Sequence, residues 1–533
     1  MRALIAVLVA ALCIPLTMDR GAAQSSSNVQ LVGSNPLYGR GMNAALAIYD
    51  HYVYIGNRTD SSSICVGATG EPSGSTCPHP HPGILIVDAR NPAQPAVVGE
   101  IGKPYAGKLG ITTRELRVWP ARRLLIVMNF RCSHHIHACE NGTDEQFPFD
   151  ISFFDLRSPV RPRFLERYVP TSHAGQQVKP HEMFLWVDPR NANRALLYLT
   201  TPTTSTKPSL PNLIVADIST VNRGGRVREV AEGNWNELYP GTNRADYPLI
   251  PGSRGQCGPY DCNLFTHSIG LSVDGTRTFL AMEAGQFLVL NTTAVARHRA
   301  SEGVMSLNNS LITQPVDRPL WEQTPNDPRA VPDVCKKACP NGHSAVKVPG
   351  RQLVLTTDEV YGTFTDPTHG RPWGWEHLID ISDQAHPRIV GEFKIAQDEQ
   401  SFCGTAADDA TTEQYTSYSS HNPTVLRDLA VIAWHSGGVQ ITDISDAAHP
   451  VGAGFFSPTP LPSVATEDPA LNRGQSKVTF WSYPIVKDGL IYVVDVRNGL
   501  YILRYTGPHA EELQSVKFLE GNSNLGDAAR LDR

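Results

Sequence analysis

The chain has 533 residues, and 46 Lys+Arg against 52 Asp+Glu give a formal net charge of −6. With no segment of concentrated basic residues, that balance excludes a nucleic-acid footprint. The 43 glycines and 41 prolines call for many turns, and long amphipathic helical patterns are nearly absent.

At the start, Met1-Arg2 are followed by an apolar run from Ala3 to Leu16, then by Gly21-Ala22-Ala23 and polar Gln24-Ser25-Ser26-Ser27. This is the layout of a secretory signal peptide over residues 1–23, cleaved near Ala23. A membrane anchor is the alternative, but it needs roughly 18 or more apolar residues. No later segment is apolar for long enough to cross a bilayer. The expected location is secreted or periplasmic.

Cysteine spacing fits that compartment. Cys13 leaves with the signal, and the others fall as near neighbours: Cys65 with Cys77, Cys132 with Cys139, Cys257 with Cys262, Cys335 with Cys339. In an oxidising environment these read as local disulfides pinning long loops, with Cys403 left over. A thiolate metal site is the alternative, but the pairs are spread out and lack its two-plus-two spacing.

One pattern recurs along the chain: a short apolar strand ending in Asp, a small turn with Pro, then another apolar strand. It runs through Ile84-Leu85-Ile86-Val87-Asp88, Ile151-Ser152-Phe153-Phe154-Asp155, Leu213-Ile214-Val215-Ala216-Asp217 and a degenerate Phe287-Leu288-Val289-Leu290-Asn291. It continues at Leu378-Ile379-Asp380-Ile381-Ser382-Asp383, Val439-Gln440-Ile441-Thr442-Asp443-Ile444-Ser445-Asp446 and Leu500-Tyr501-Ile502-Leu503. Markers about 60 to 90 residues apart leave room for roughly four strands and a variable loop per unit. Seven such units predict an all-β fold, a seven-bladed β-propeller with long disulfide-pinned loops. A pair of β-sandwiches would not repeat the marker seven times. The propeller is expected over 41–506, after an extension at 24–40 and before a tail at 507–533. In that tail, Ala510 to Phe518 looks locally helical.

The Ile-Val-Asp and Ile-Thr-Asp-Ile-Ser-Asp segments resemble the LVIVD repeat of bacterial exported propeller proteins. The resemblance covers most of the chain from Met42 to Tyr505 and is strongest at 378–391 and 439–451. It implies the fold and little about activity.

Four histidines recur ahead of consecutive markers: Pro180-His181-Glu182, Thr266-His267-Ser268, Gly342-His343-Ser344 and Ser420-His421-Asn422. They are about 86, 76 and 78 residues apart, in step with the blades. First strands line a propeller's channel, so four imidazoles are expected at one mouth, where they would ligate one transition metal. The corresponding positions in the other blades carry Asn43, Arg114-Glu115 and Ser482-Tyr483, which leaves one side of the ring for substrate or water. Glu283 and Glu359, and more weakly Glu182, are placed to accept the distal N–H of a ligating imidazole. His435 is a further ligand or an acid–base group. His435, Glu283 and Glu359 are thus the candidate catalytic residues. A structural role, closing the inner ring by hydrogen bonds, is the competing account of the histidines.

The His134-His135-His137 tract and Cys77-Pro78-His79-Pro80-His81 are read as solvated loops that can also bind metal. No nucleophile elbow, phosphate loop or dinucleotide fingerprint is present. In ligand layout alone, four axial imidazoles resemble the carotenoid-cleaving oxygenases and the selenium-binding, methanethiol-oxidising group. That layout implies oxidation of a small-molecule substrate, with Fe or Cu favoured, Zn or Mn as alternatives, and Trp481 or Tyr483 lining the pocket. The rival expectation is a non-catalytic propeller that binds or scaffolds a partner.

Overall fold

The structure is a computed structural model that describes residues 25–58, 64–66, 72–76, 80–102, 111–131, 150–201, 210–235, 266–282, 286–314, 342–359, 374–399, 418–466 and 478–533. Among them, strands form seven sheets of three to five strands and one small hairpin, Ile64–Val66 with Pro72–Thr76. The first sheet is the antiparallel meander Asn43–Tyr49, Tyr52–Asn57, Ile84–Asp88 and Ala96–Ile101. Six more follow in chain order, with first strands Ile111–Trp119, Met183–Val187, Thr266–Leu271, Gly342–Lys347, Pro423–Val425 and Ile485–Lys487. This is the expected all-β, seven-bladed propeller. The signal segment, Glu283, the His134-His135-His137 tract, His79 and all the cysteine side chains lie outside the described residues.

The marker motif is the third strand of each blade, and its Asp has a repeated local task. Asp88 Oδ1 accepts the N–H of Arg90 at 2.9 Å, and Asp155, Asp217, Asp380 and Asp443 do the same for Arg157, Ser219, Ser382 and Ser445 at 2.8–2.9 Å. Each bond starts the turn into the outer strand by satisfying a backbone donor two residues on. In the degenerate copy, Asn291 holds the N–H of Thr293 at 3.2 Å.

Alternate residues of a strand serve different neighbours, as its period of two requires. Leu124, Ile126 and Met128 of blade two pack with Leu185, Leu197 and Leu199 of blade three. Leu125 and Val127 face the other way, onto Ala47, Tyr54 and Ile86 of blade one. Seven apolar clusters result, one per pair of neighbouring blades, and the last joins Leu46 and Ile55 to Tyr492 and Ile502, closing the ring. Burial on both faces is why the markers read as unbroken apolar runs rather than alternating ones. Near the axis the strands converge closely: a Cβ on Gly270 of blade four would lie 1.9 Å from the Ala345 carbonyl oxygen of blade five.

Both termini join the ring. The segment ahead of Gly41 supplies outer strands, Ser25–Ser27 to blade six and Val29–Asn35 to blade seven. At the other end, Phe518–Glu520 pairs with the first strand of blade seven. The chain then crosses to blade three, where Leu185 donates to the Asn522 carbonyl at 3.1 Å. Asn524 grips the backbone of Val187 and Val273 at 2.8–3.0 Å. The tail, with short helices Ala510–Gln514 and Ala528–Leu531, thus covers the channel mouth at the ends of the first strands.

One buried carboxyl at a blade interface gives a pH prediction. Glu376 of blade five is fully buried and accepts a hydrogen bond from Thr442 of blade six at 3.2 Å. Burial pushes its carboxyl up to about 8, against 4.5 when exposed. The native state therefore holds a proton that the unfolded chain has lost between those values. This contribution to stability is fully present below about 4.5 and declines as pH rises toward 8. Glu376→Gln keeps the acceptor and removes the titration. Melting curves should match wild type near pH 5, and the variant should gain on the order of a few kcal/mol by pH 8 to 9. A constant difference across that range contradicts the assignment.

Candidate metal centre

The four recurrent histidines occupy equivalent places where the first strands begin. His181 stands two residues before Met183–Val187, His267 and His343 are second in Thr266–Leu271 and Gly342–Lys347, and His421 stands two before Pro423–Val425. Because the first strands of a propeller run the same way, all four lie at one end of the channel. Their ring centroids follow one another at 4.3 Å (His181–His267), 4.0 Å (His267–His343) and 3.8 Å (His343–His421). His435 continues the arc at 4.8 Å from His421. His267, His343, His421 and His435 are all buried. The tail enters the channel just beyond the ring: Asn522 meets Leu185, four residues past His181, and Gly521 lies against the Pro423 carbonyl, two past His421.

Glu359 follows the second strand of blade five, Leu353–Asp358, and its carboxylate sits among these rings. Oε2 is 3.4 Å from His267 Nε2 and 3.5 Å from His343 Nε2. Oε1 is 3.1 Å from His421 Nε2 and 3.5 Å from His435 Nε2. His181 Nε2 lies 2.8 Å from His267 Nε2. Glu359, expected behind the imidazoles at their distal N–H, instead faces their Nε2 atoms. It comes from the second strand, whose end points inward at the level of the ring.

Small neighbours hold the distal nitrogens instead. His267 Nδ1 meets Ser268 Oγ at 3.0 Å, His343 Nδ1 meets Ser344 Oγ at 2.8 Å, and His435 Nδ1 meets Ser419 Oγ at 3.2 Å. His421 Nδ1 is 2.6 Å from the Trp481 carbonyl, which only accepts, so this nitrogen carries a proton. The same holds for His343. Asn422 donates its amide to the Trp481 carbonyl at 2.9 Å, so its Oδ1 takes the Ser344 hydroxyl proton at 3.0 Å, leaving Ser344 Oγ to accept from His343. Both rings, when neutral, present Nε2 lone pairs to the carboxylate.

Protonation states follow from burial. It lowers His181, His267 and His343, and takes His421 down to about 3. Burial raises the Glu359 carboxyl, whereas His421 and His343, in their protonated forms, pull it well below the usual carboxylate range. With Nδ1 carrying the proton, the neutral rings of His343 and His421 turn Nε2 lone pairs toward the Glu359 carboxyl. This donor set fits a transition-metal cation. Three overlapping groups are close enough to share an ion: His181-Glu182-His267, His267-His343-Glu359 and Glu359-His421-His435.

The side of the ring expected to stand open is filled. Trp481 of blade seven packs on His421 and His435 at 5.2 and 5.4 Å. Arg58 of blade one lies 3.4 Å over the Trp481 ring, and Arg114 of blade two 5.7 Å from it. Arg114 also reaches Glu182 at 3.9 Å, and burial raises the Glu182 carboxyl. Tyr483 lies against Arg117, whose guanidinium pairs with Glu115 at 3.1 Å. Arg58 escaped the sequence reading, although it follows its blade's second strand, Tyr52–Asn57, just as Glu359 does in blade five.

Fold and cluster together define a seven-bladed propeller with a buried His/Glu group able to hold a metal ion. No family model matches the chain, and no curated protein matches it. Among solved structures, one titled "Crystal Structure of Mitotic Checkpoint Complex" is similar at 7% identity and TM-score 0.41, covering 94% of this chain and 99% of that one. Another, Chaetomium thermophilum Sqt1 bound to the N-terminus of ribosomal protein L10, is similar at 11% identity and TM-score 0.40, covering 88% and 89%.

Proposed function

We propose that the protein is an exported metal-dependent oxidoreductase acting on a small molecule, its metal held at the propeller axis by His267, His343 and Glu359 with His181 and His421 beside them. The observation that carries this reading is the convergence of Nε2 atoms on one buried carboxyl group. Two imidazoles and a carboxylate are the ligand type of non-haem Fe(II) oxygenases, which favours iron, with copper next. An ion held by these residues would supply Lewis-acid and redox chemistry. The chain's own part is preorganisation. Ser268, Ser344 and the Trp481 carbonyl fix ring orientation, and the last two also fix the tautomers of His343 and His421. Trp481, with Arg58 over its face, excludes water beside His421 and His435. The signal-like start and paired cysteines support export to an oxidising compartment, secreted or periplasmic.

Metal analysis of protein purified from its native compartment tests the proposal. Iron or copper is expected near stoichiometric amounts. Less than about a tenth of an equivalent of any transition metal, with reconstitution also failing, rejects it. The LVIVD-like propeller would then stand as a binding or scaffold protein.

A further inference from the structure

The donors outnumber what one ion can use, and their spacing divides them. Around a single ion with bonds of about 2.1 Å, opposite ligands lie about 4.2 Å apart and neighbouring ones about 3.0–3.4 Å. All donors of one coordination sphere would then form a single group within 4.8 Å. They fall into separate triads instead, with Glu359 shared by two of them. The four carboxylate-to-Nε2 distances, 3.1–3.5 Å, are the edge lengths of such spheres. Each oxygen of Glu359 has its own pair of edges.

We propose that the cluster holds two ions bridged by the Glu359 carboxylate, one on His267, His343 and Oε2, the other on His421, His435 and Oε1. The proposal rests on the metal reading above and adds a second ion to it. Carboxylate-bridged pairs stand about 3.5–4 Å apart, which suits rings in consecutive contact.

His435 supplies an independent observation. Its backbone is held at φ 33°, a left-handed conformation that a non-glycine residue rarely adopts. The two glycines that follow, Gly437 and Gly438, allow the chain to turn back at once: Gly438 donates to the His435 carbonyl at 3.2 Å. The strained turn aims the imidazole at Glu359 Oε1, with Ser419 behind it. The third triad is less suited to an ion, because Glu182 is turned to Arg114, at 3.9 Å.

Copper loading of the full chain decides the matter. Apoprotein is saturated with Cu(II), passed through a desalting column, and read by elemental analysis and electron paramagnetic resonance. Wild type is expected to hold one more equivalent than His435→Ala. Its signal should fall below that of independent spins, because the bridge couples the pair, whereas His435→Ala should show the full signal of an isolated ion. Copper on the His134-His135-His137 tract is common to both proteins and cancels in the difference. Glu359→Gln, which cannot bridge as a carboxylate, should also lose the coupling and serves if His435→Ala fails to fold. Equal copper in wild type and His435→Ala, with uncoupled spins in wild type, overturns the pair and leaves a single-ion centre. No copper at the axis in wild type removes the metal reading and the pair with it.

Discussion

His343→Ala is expected to weaken metal binding by at least about 100-fold while the propeller still folds. The bound follows from a milder change: losing the partner behind a ligating histidine typically costs 10–100-fold, and removing the ligand costs more. The fold should tolerate the change because the imidazole makes little of the core. Val346 on the same strand and Val348 just after it, with Val354 and Leu355 beside them, carry the blade interfaces. Ser344→Ala is the informative companion. It keeps the imidazole but removes the hydroxyl that accepts from Nδ1 at 2.8 Å, so the tautomer is no longer fixed. It should fall between wild type and His343→Ala, about 10–100-fold below wild type. Metal titration followed by equilibrium dialysis measures all three. If both variants bind as wild type does and only melt earlier, the ring is a structural closure, and each lost hydrogen bond is worth about 0.5–1.5 kcal/mol.

Much of this arrangement can be read before any coordinates, for a physical reason. Third strands covered on both faces leave unbroken apolar runs, and the Asp that begins each following turn is a local device, so both survive as motifs. His181, His267, His343 and His421 are legible in the same way, because equivalent positions in a rotationally repeated fold must meet at the axis. Position alone, however, does not say which atom faces which. A carboxylate at the position of Glu359 is expected behind the rings, whereas Ser268 and Ser344, next in sequence to their histidines, already satisfy Nδ1. Those adjacent hydroxyls were the available signal. The filling of the ring by Arg58, Arg114 and Trp481 depends on contacts across blades one, two and seven, which have no local periodicity to betray them. The crossing of the tail from blade seven to blade three is likewise invisible, since Asn522 and Asn524 meet Leu185, Val187 and Val273 across more than 250 residues of chain with no repeated motif.

The same distinction between local and long-range order leads to the second large effect, at the ring's closure. Val29–Asn35 pairs with Gly499–Tyr505 from Val29↔Tyr505 to Asn35↔Leu500, and Ser25–Ser27 pairs with the outer strand of blade six. No covalent link joins blade seven to blade one at this point except the chain that passes through these strands into Asn43–Tyr49. Deleting residues 25–35 strips the outer strand from two adjacent blades and exposes the edge of Gly499–Tyr505. With nine paired residues and about 0.5–1.5 kcal/mol net per hydrogen bond, the loss is on the order of 5 kcal/mol, a large share of the usual 5–15 kcal/mol for a folded protein. We expect the melting temperature to fall by roughly 5–10 °C and the freed edge to promote aggregation. A synthetic peptide of residues 25–35 added in trans should restore much of the loss, because it supplies the same pairing without the covalent connection. If the truncated chain melts with the full-length one, the ring is closed by the Leu46, Ile55, Tyr492 and Ile502 cluster alone, and the terminal strands add nothing to its stability.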